Sequence, residues 1–393
     1  MRRPAPHHRP GFTLVELMMV IIIIGILASL LIVAARPALT AAANARVAQE
    51  VGQLDVAMNN FKNDHGGAVP PALGTADTFN MFVLDPTLEV AYTQRLMRFL
   101  RKAFPRFRLT DLNGSGDVDL DDMAQLIEDL YPLDPSFYVT TNYLDFTQLD
   151  AAESLVLWLG GMPHVTQADD NGYTVELTRF ARDPANPFLP EFDPTGNNLI
   201  GQEFQPERTD TVFEFDTRRL VDSDRDGWPE YVPDYGGEVE DTPPYAYFDA
   251  AAYGLFPHYP PFTHPRNDNP ANNDDEWEMV QDSWGFARPY LKSYAAQNPS
   301  GSQAVDAFPS ESSFGSAEAF QILCAGNDNR FSNLTALDAG TLQLKVMQLC
   351  DYPAASYLQF GFPPPLEPTS VDAEEFDNLG NFLEGKLESN IED

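Results

Sequence analysis

Apolar residues fill positions 12–34 almost without interruption, the exceptions being Thr13, Glu16 and Ser29. As a helix this run extends about 34 Å, which matches a bilayer core. Beyond it the pattern changes character. Val47, Val51, Leu54, Met58 and Phe61 recur at three- and four-residue intervals, predicting an amphipathic helix over 36–66 that continues the apolar run. Gly66 and Gly67 end it, and Pro70-Pro71 forbid its resumption. Residues 72–150 read as mostly helical. From about 165 to 270, short β-prone pieces such as YTVELTRF and TVFEFDTRRL stand among Pro, Asn, Asp and aromatic residues. The stretch PPYAYFDAAAYGLFPHYPPFTHP reads as an irregular aromatic-packed loop.

Composition narrows the class. The 393 residues are 43% hydrophobic, enough to bury a core in one large domain or two ordinary ones. The formal charge is -35, almost all of it beyond residue 110. Such acidity argues against a nucleic-acid partner, because phosphate binding needs clustered Lys and Arg. It suits a solvated extracytoplasmic surface and calcium, a hard cation that takes oxygen ligands. The one positive patch, YTQRLMRFLRKAFPRF, predicts an amphipathic helix whose charged side reads as a solvated face rather than a membrane or acidic-partner site. Cys324 and Cys350 either form a disulfide, as in an exported domain, or stand as two separate buried thiols.

Two acidic loops carry the sharpest chemical signal. In DLNGSGDVDLDD, side-chain oxygens fall at Asp111, Asn113 and Ser115, Gly116 takes the sixth position, and Asp117 offers its carbonyl at the seventh. Asp119 and Asp122 fill the ninth and twelfth, which is EF-hand spacing for one Ca²⁺. Asp in place of a terminal Glu, and Pro105 breaking the entering helix, resemble dockerin-type loops. The alternative is an Asx-rich turn in which Asp122 caps the following helix. In DSDRDGWPEY, Asp222, Asp224 and Asp226 alternate before Gly227, with Trp228 seventh and Glu230 ninth. Carboxylates this close repel one another without a cation. No catalytic constellation appears: His258 and His264 lack zinc-ligand spacing, and no serine elbow, phosphate-cradling loop or CxxC is present.

GFTLVELMMVIIIIGILASLLI, preceded by Arg2, Arg3 and Arg9, resembles the signal of type IV pilins and type II secretion pseudopilins. An ordinary signal peptide cut after LTAAANA has no use for Glu16 and needs a shorter apolar core. The resemblance implies cleavage after Gly11 by a prepilin peptidase and methylation of the new Phe12 amine. It implies that Glu16 meets the N-terminal amine of a neighbouring copy or related pilin as helices pack, on an inner-membrane assembly platform. It implies a single pass through a bacterial inner membrane, with an extracytoplasmic head. The family's proline near Val33 is missing here, the nearest being Pro37. Further on, FKNDHGGAVP, DSWGFARPYLKSY and EAFQILCAGNDNRFSN are similar to major-pseudopilin elements, and the last places a further calcium candidate near Asp328.

The expected fold is therefore α+β: a long N-terminal transmembrane and amphipathic helix on a small antiparallel sheet, with a large mixed insertion. The expected divisions are a leader (1–11), a membrane helix (12–35), its amphipathic continuation (36–66), an inserted head region (67–279) and a pseudopilin-like C-terminal head (280–393). The expected role is a non-enzymatic filament subunit whose head calcium stabilises. Its rivals are a membrane-tethered calcium-dependent adhesion module that never polymerises and a secreted calcium-binding protein.

Overall fold

The computed structural model describes residues 14–72, 86–131, 144, 146, 149, 151–167, 173–191, 205–222, 227–236, 239, 242–250, 291–293, 313–314, 320–326 and 379–381. Mixed helices and small antiparallel sheets make it an α+β fold. Helix α1 (Leu14–Asp64) is continuous through Pro37. Val47, Val51, Leu54, Met58 and Phe61 are all buried, as their spacing predicts, and Ala57 joins them. The helix closes where expected. His65 N–H donates to the Phe61 carbonyl at 3.0 Å, and Gly67 N–H donates to the Lys62 carbonyl at 2.6 Å. Gly66 takes φ +79 to make this turn possible.

The chain beyond the turn is nailed to the core. The Tyr247 hydroxyl donates to the Pro70 carbonyl at 2.7 Å and the Trp158 indole N–H to the Pro71 carbonyl at 2.9 Å. Helix α2 (Pro86–Ala103) buries Leu96, Met97, Phe99 and Leu100, and helix α3 (Leu120–Leu130) follows the first acidic loop. Helix α4 (Ala151–Gly160) is buried at every residue, Glu153 and Ser154 included, as expected of a mostly apolar helix at the centre of the head. Phe61 of α1 and Phe99 of α2 both meet Trp158 of α4, with ring centroids 6.3 and 4.8 Å apart.

Strands β1 (Pro163–Gln167) and β2 (Tyr173–Leu177) form an antiparallel hairpin, with β2 falling inside the β-prone YTVELTRF. A 3₁₀ turn (Thr217–Arg219) leads into β3 (Leu220–Val221), which pairs antiparallel with β4 (Glu230–Tyr231). Strand β5 (Ala246–Asp249) comes next, followed by the pair β6 (Leu291–Ser293) and β7 (Ser313–Phe314). Strand β8 (Phe320–Cys324) runs antiparallel between β5 and β9 (Leu379–Gly380), and α1 packs on β8 and β9.

Two expectations are corrected. TVFEFDTRRL is irregular over 211–216, because Phe213 and Phe215 pack edge-on against Tyr231, at 6.0 and 4.9 Å, instead of joining a ladder. Asp216 then accepts the Arg218 N–H and turns the chain into the 3₁₀ segment. Conversely, PPYAYFDAAAYGLFPHYPPFTHP contains strand β5. Its prolines suggested a loop, but Pro243 and Pro244 lie before the first ladder position, and Ala246–Asp249 is buried throughout.

The α1 turn yields a test. A Cβ on Gly66 would sit 2.9 Å from the Lys102 carbonyl oxygen at the end of α2, whereas one on Gly67 meets nothing within 4 Å. Gly66→Ala should cost about 2 kcal/mol or more and Gly67→Ala about 1 kcal/mol. Urea unfolding of the detergent-solubilised chain reads the difference; equal losses would mean that the two helix ends do not meet.

Candidate assembly helix and acidic loops

The start of α1, residues 14–29, is exposed throughout. Twelve large apolar side chains between Leu14 and Leu27 are 44–78% exposed and occupy every side of the helix. Leaving that surface in water costs on the order of 15 kcal/mol relative to burying it. The one hydroxyl among the later positions is already satisfied, Ser29 donating to the Ile26 carbonyl at 2.7 Å. Glu16 sits in the first turn, where the helix dipole favours a carboxylate. Gly11 and Phe12 lie outside the described residues. Among the described residues no helix is long and apolar enough to cross a membrane. The apolar positions with described side chains, 14–29, run about 24 Å against roughly 30 Å of hydrocarbon. The rest of the expected span, 12–13 and 30–35, lies outside the described side chains.

The second half of α1 is fastened by a polar cluster that the sequence reading missed. Glu50 forms an ion pair with Arg219, both about 16% exposed. It also accepts hydrogen bonds from the Tyr245 hydroxyl at 2.6 Å and the Tyr231 hydroxyl at 2.9 Å. Arg219 donates to the Tyr231 hydroxyl and, at 2.9 Å, to the Val232 carbonyl, and its guanidinium lies 4.4 Å from the Tyr231 ring centroid. Burial alone would raise the Glu50 carboxyl. Hydrogen bonds from Arg219, Tyr245 and Tyr231, with the Arg219 charge, outweigh burial and hold it below the usual range. Two further ties lie on the same helix. Asp55 accepts the Asn381 amide at 2.7 Å, and Arg46 pairs with Asp234 at 2.8 Å on the surface. A signal existed for the first: Glu50 stands three residues after Val47 and four before Leu54, so the buried stripe runs through it.

In the first acidic loop every predicted ligand has a definite place. Asp111 turns inward, accepting N–H groups of Gly114 at 2.6 Å and Gly116 at 2.9 Å. Gly116, at the sixth position, has the φ of +98 that the sharp turn requires. Asn113 accepts the Ser115 N–H at 2.8 Å, and the Ser115 hydroxyl donates to the Asp117 carbonyl at 2.9 Å. Asp119 is the N-cap of α3 and forms a capping box with Asp122. Asp122 is fully buried and accepts N–H groups from Leu112 at 2.6 Å, Asp119 at 2.9 Å and Asn113 at 3.1 Å. Burial would raise its carboxyl, but these backbone donors hold it below the usual range. The carboxylate, amide, hydroxyl and carbonyl oxygens suit a hard cation. Among the described residues no three His, Cys, Asp or Glu side chains converge closely enough to hold a metal, so calcium would have to draw Asp119 and Asp122 partly away from backbone N–H groups.

The second loop is built differently. Asp222, Trp228 and Glu230 are buried, Asp222 accepting the Gly227 N–H at 3.2 Å. Trp228 packs edge-on against Phe146 at 6.0 Å, and Glu230 stands opposite Val221 in the ladder. Asp224 and Asp226 lie outside the described residues, as do Asp328 and Cys350. Cys324 is buried in β8, its sulfur 3.5 Å from the Tyr235 hydroxyl.

Comparison with protein families finds that residues 7–32 match the prokaryotic N-terminal methylation motif. Comparison with curated proteins and with solved structures finds no match. The matched stretch contains Gly11, Phe12 and Glu16, and its described part is the exposed half of α1.

Glu50→Gln should destabilise the head by about 3 kcal/mol at neutral pH, because it strands Arg219 half-buried. The pH dependence has a defined sign. Since folding lowers the carboxyl's pKa, its stabilisation is complete above the ordinary Glu value of about 4.3 and is lost as pH falls through the folded value. Denaturation from pH 7 down to 3 should therefore show wild type and variant converging in acid. A constant gap would place the loss elsewhere.

Proposed function

We propose that this chain is a structural subunit of a pilin-like or pseudopilin-like filament, processed by a prepilin peptidase. One observation carries the reading: a methylation-motif helix that is apolar on every side, bears one carboxylate near its start, and leaves its large apolar side chains from Leu14 to Leu27 exposed. Such a helix needs a bilayer before assembly and neighbouring helices after it. In a bilayer an acid is retained where a partner awaits it. Cleavage after Gly11 would create that partner on the next copy, the Phe12 amine. Desolvation penalises either charge alone and strengthens their attraction once paired, so the pair sets register more than it adds stability. On this reading residues 12–35 form the membrane span and the head lies outside the cytoplasm.

N-terminal sequencing of the mature chain should give methylated phenylalanine from position 12, and Glu16→Ala should cut polymerisation and incorporation beside wild-type copies at least tenfold. A mature start near Asn44, or undiminished assembly by the variant, would rule the reading out.

Calcium is the proposed ligand of the 111–122 loop, with Asp111, Asn113, Ser115, Asp119 and Asp122 as side-chain donors and Asp117 through its carbonyl. The support is the inward Asp111, the turn at Gly116 and the oxygen-only donor set. At a hundredfold excess over Kd, calcium would add about 2.7 kcal/mol. Melting of the full chain should then drop by roughly 5–10 °C with chelator. Asp111→Ala should abolish that difference; unchanged melting with chelator would exclude the site.

A further inference from the structure

The basic segment 92–107 falls on α2 and the turn after it. Its apolar positions face the core, while Gln94, Arg98, Arg101 and Lys102 fall together on the exposed side, followed by exposed Arg106 and Arg108. Residues 98–108 contain five cations and no acid, in a chain whose formal charge is -35. A solvated face in so acidic a protein would be expected to collect carboxylates, and this one does not. Among the described residues no ion pair involves any of the five. Arg98 instead donates to the Gln94 carbonyl at 3.1 Å, and Arg108 to the Pro105 and Phe107 carbonyls at 2.7 and 2.8 Å.

Directly after this face the sign reverses. From 109 to 178 there is no Lys or Arg, and Asp111, Asp117, Asp121 and Asp129 are exposed on the loop and α3, with Asp119 half-buried between them. One copy thus presents a cationic face beside an anionic one. Elsewhere like copies repel, so opposed patches would select one relative orientation.

We infer that the basic face of α2 docks on the acidic loop and α3 of a second copy of this chain. The inference rests on the filament reading for its geometry. Lys102 abuts Gly66 at the far end of α1. About 45 Å of helix separates that point from residue 35, many times the roughly 8 Å over which charge acts in physiological salt. The lipid surface that holds the anchor is therefore out of reach. Nucleic acid would meet the repulsion of the remaining acidic surface.

The test uses full-length chain in detergent micelles, ¹⁵N-labelled and unlabelled copies mixed, with a carbodiimide that joins amines to carboxylates at contact. Mixed-isotope cross-links from Lys102 to carboxylates between 111 and 129 are expected, falling about tenfold between low and high salt. Sedimentation should show self-association weakened at least tenfold in an Arg98→Glu, Arg101→Glu variant and equally in an Asp121→Lys, Asp129→Lys variant. Mixing the two should restore it, since the reversed faces are complementary. All four positions are exposed, and unchanged melting would confirm intact heads. Cross-links confined to single copies, a mixture no better than its parts, or capture of the wild type by duplex DNA in place of self-association would overturn the inference. In a Glu16→Ala background, head cross-links should persist. Their absence from wild type alongside Glu16-dependent polymers would sink this contact alone, and their presence without such polymers would sink only the filament reading.

Discussion

Glu50 is the residue on which the head's hold over its long helix turns. The apolar stripe from Val47 to Phe61 supplies most of the attraction, but apolar contact is non-directional and would tolerate a slide or a rotation of α1. A carboxylate that must meet Arg219, Tyr231 and Tyr245 together leaves one axial position and one rotation. The surface Arg46–Asp234 pair and the Asp55–Asn381 bond lie one turn before it and five residues beyond, so three different segments grip the same helix. For a helix whose first sixteen residues are exposed, that fixed rotation decides how the head faces whatever surrounds the helix.

The grip depends on residues far apart in the chain. Asn381, just past β9, accepts the Ile322 N–H at 2.9 Å while giving its amide to Asp55, so it ties the sheet edge to α1. Arg95 of α2 and Asp249 of β5 form a buried ion pair, and Asp249 also accepts the Ala72 N–H at 2.7 Å just past the α1 turn. Each of these carboxylates is satisfied by donors from separate elements, which is how so acidic a chain buries acids at all. The cations used for this purpose are few. That the five on α2 and its following turn pair with no carboxylate among the described residues gives the exposed basic face its meaning.

The two acidic loops show how similar spacing ends in different surroundings. Loop 111–122 lies at the surface, and its oxygens close on nearby backbone N–H groups. In the segment from 222, the flanking Trp228 and Tyr231 are core residues, so Asp222 and Glu230 are carried into the interior with them. The alternation of aspartates is the same in both; the apolar partners of the second decide its depth.

The extent of α1, its buried stripe, its end at Gly66, the bare apolar half with Glu16 in its first turn, and the turn geometry around Gly116 were all readable in the residues themselves. Each depends on neighbours within a few positions, where period, glycine φ and proline's missing N–H act. Strand β5 and the irregular 211–216 segment were not readable, because what fixes them is a strand 70 residues onward and the ring of Tyr231. Glu50 was visible as a carboxylate on a buried stripe, yet its partners lie 169 to 195 positions away. Periodicity shows that a group must be buried; only the folded chain decides which distant donors meet it, because hydrogen bonds and ion pairs act at contact.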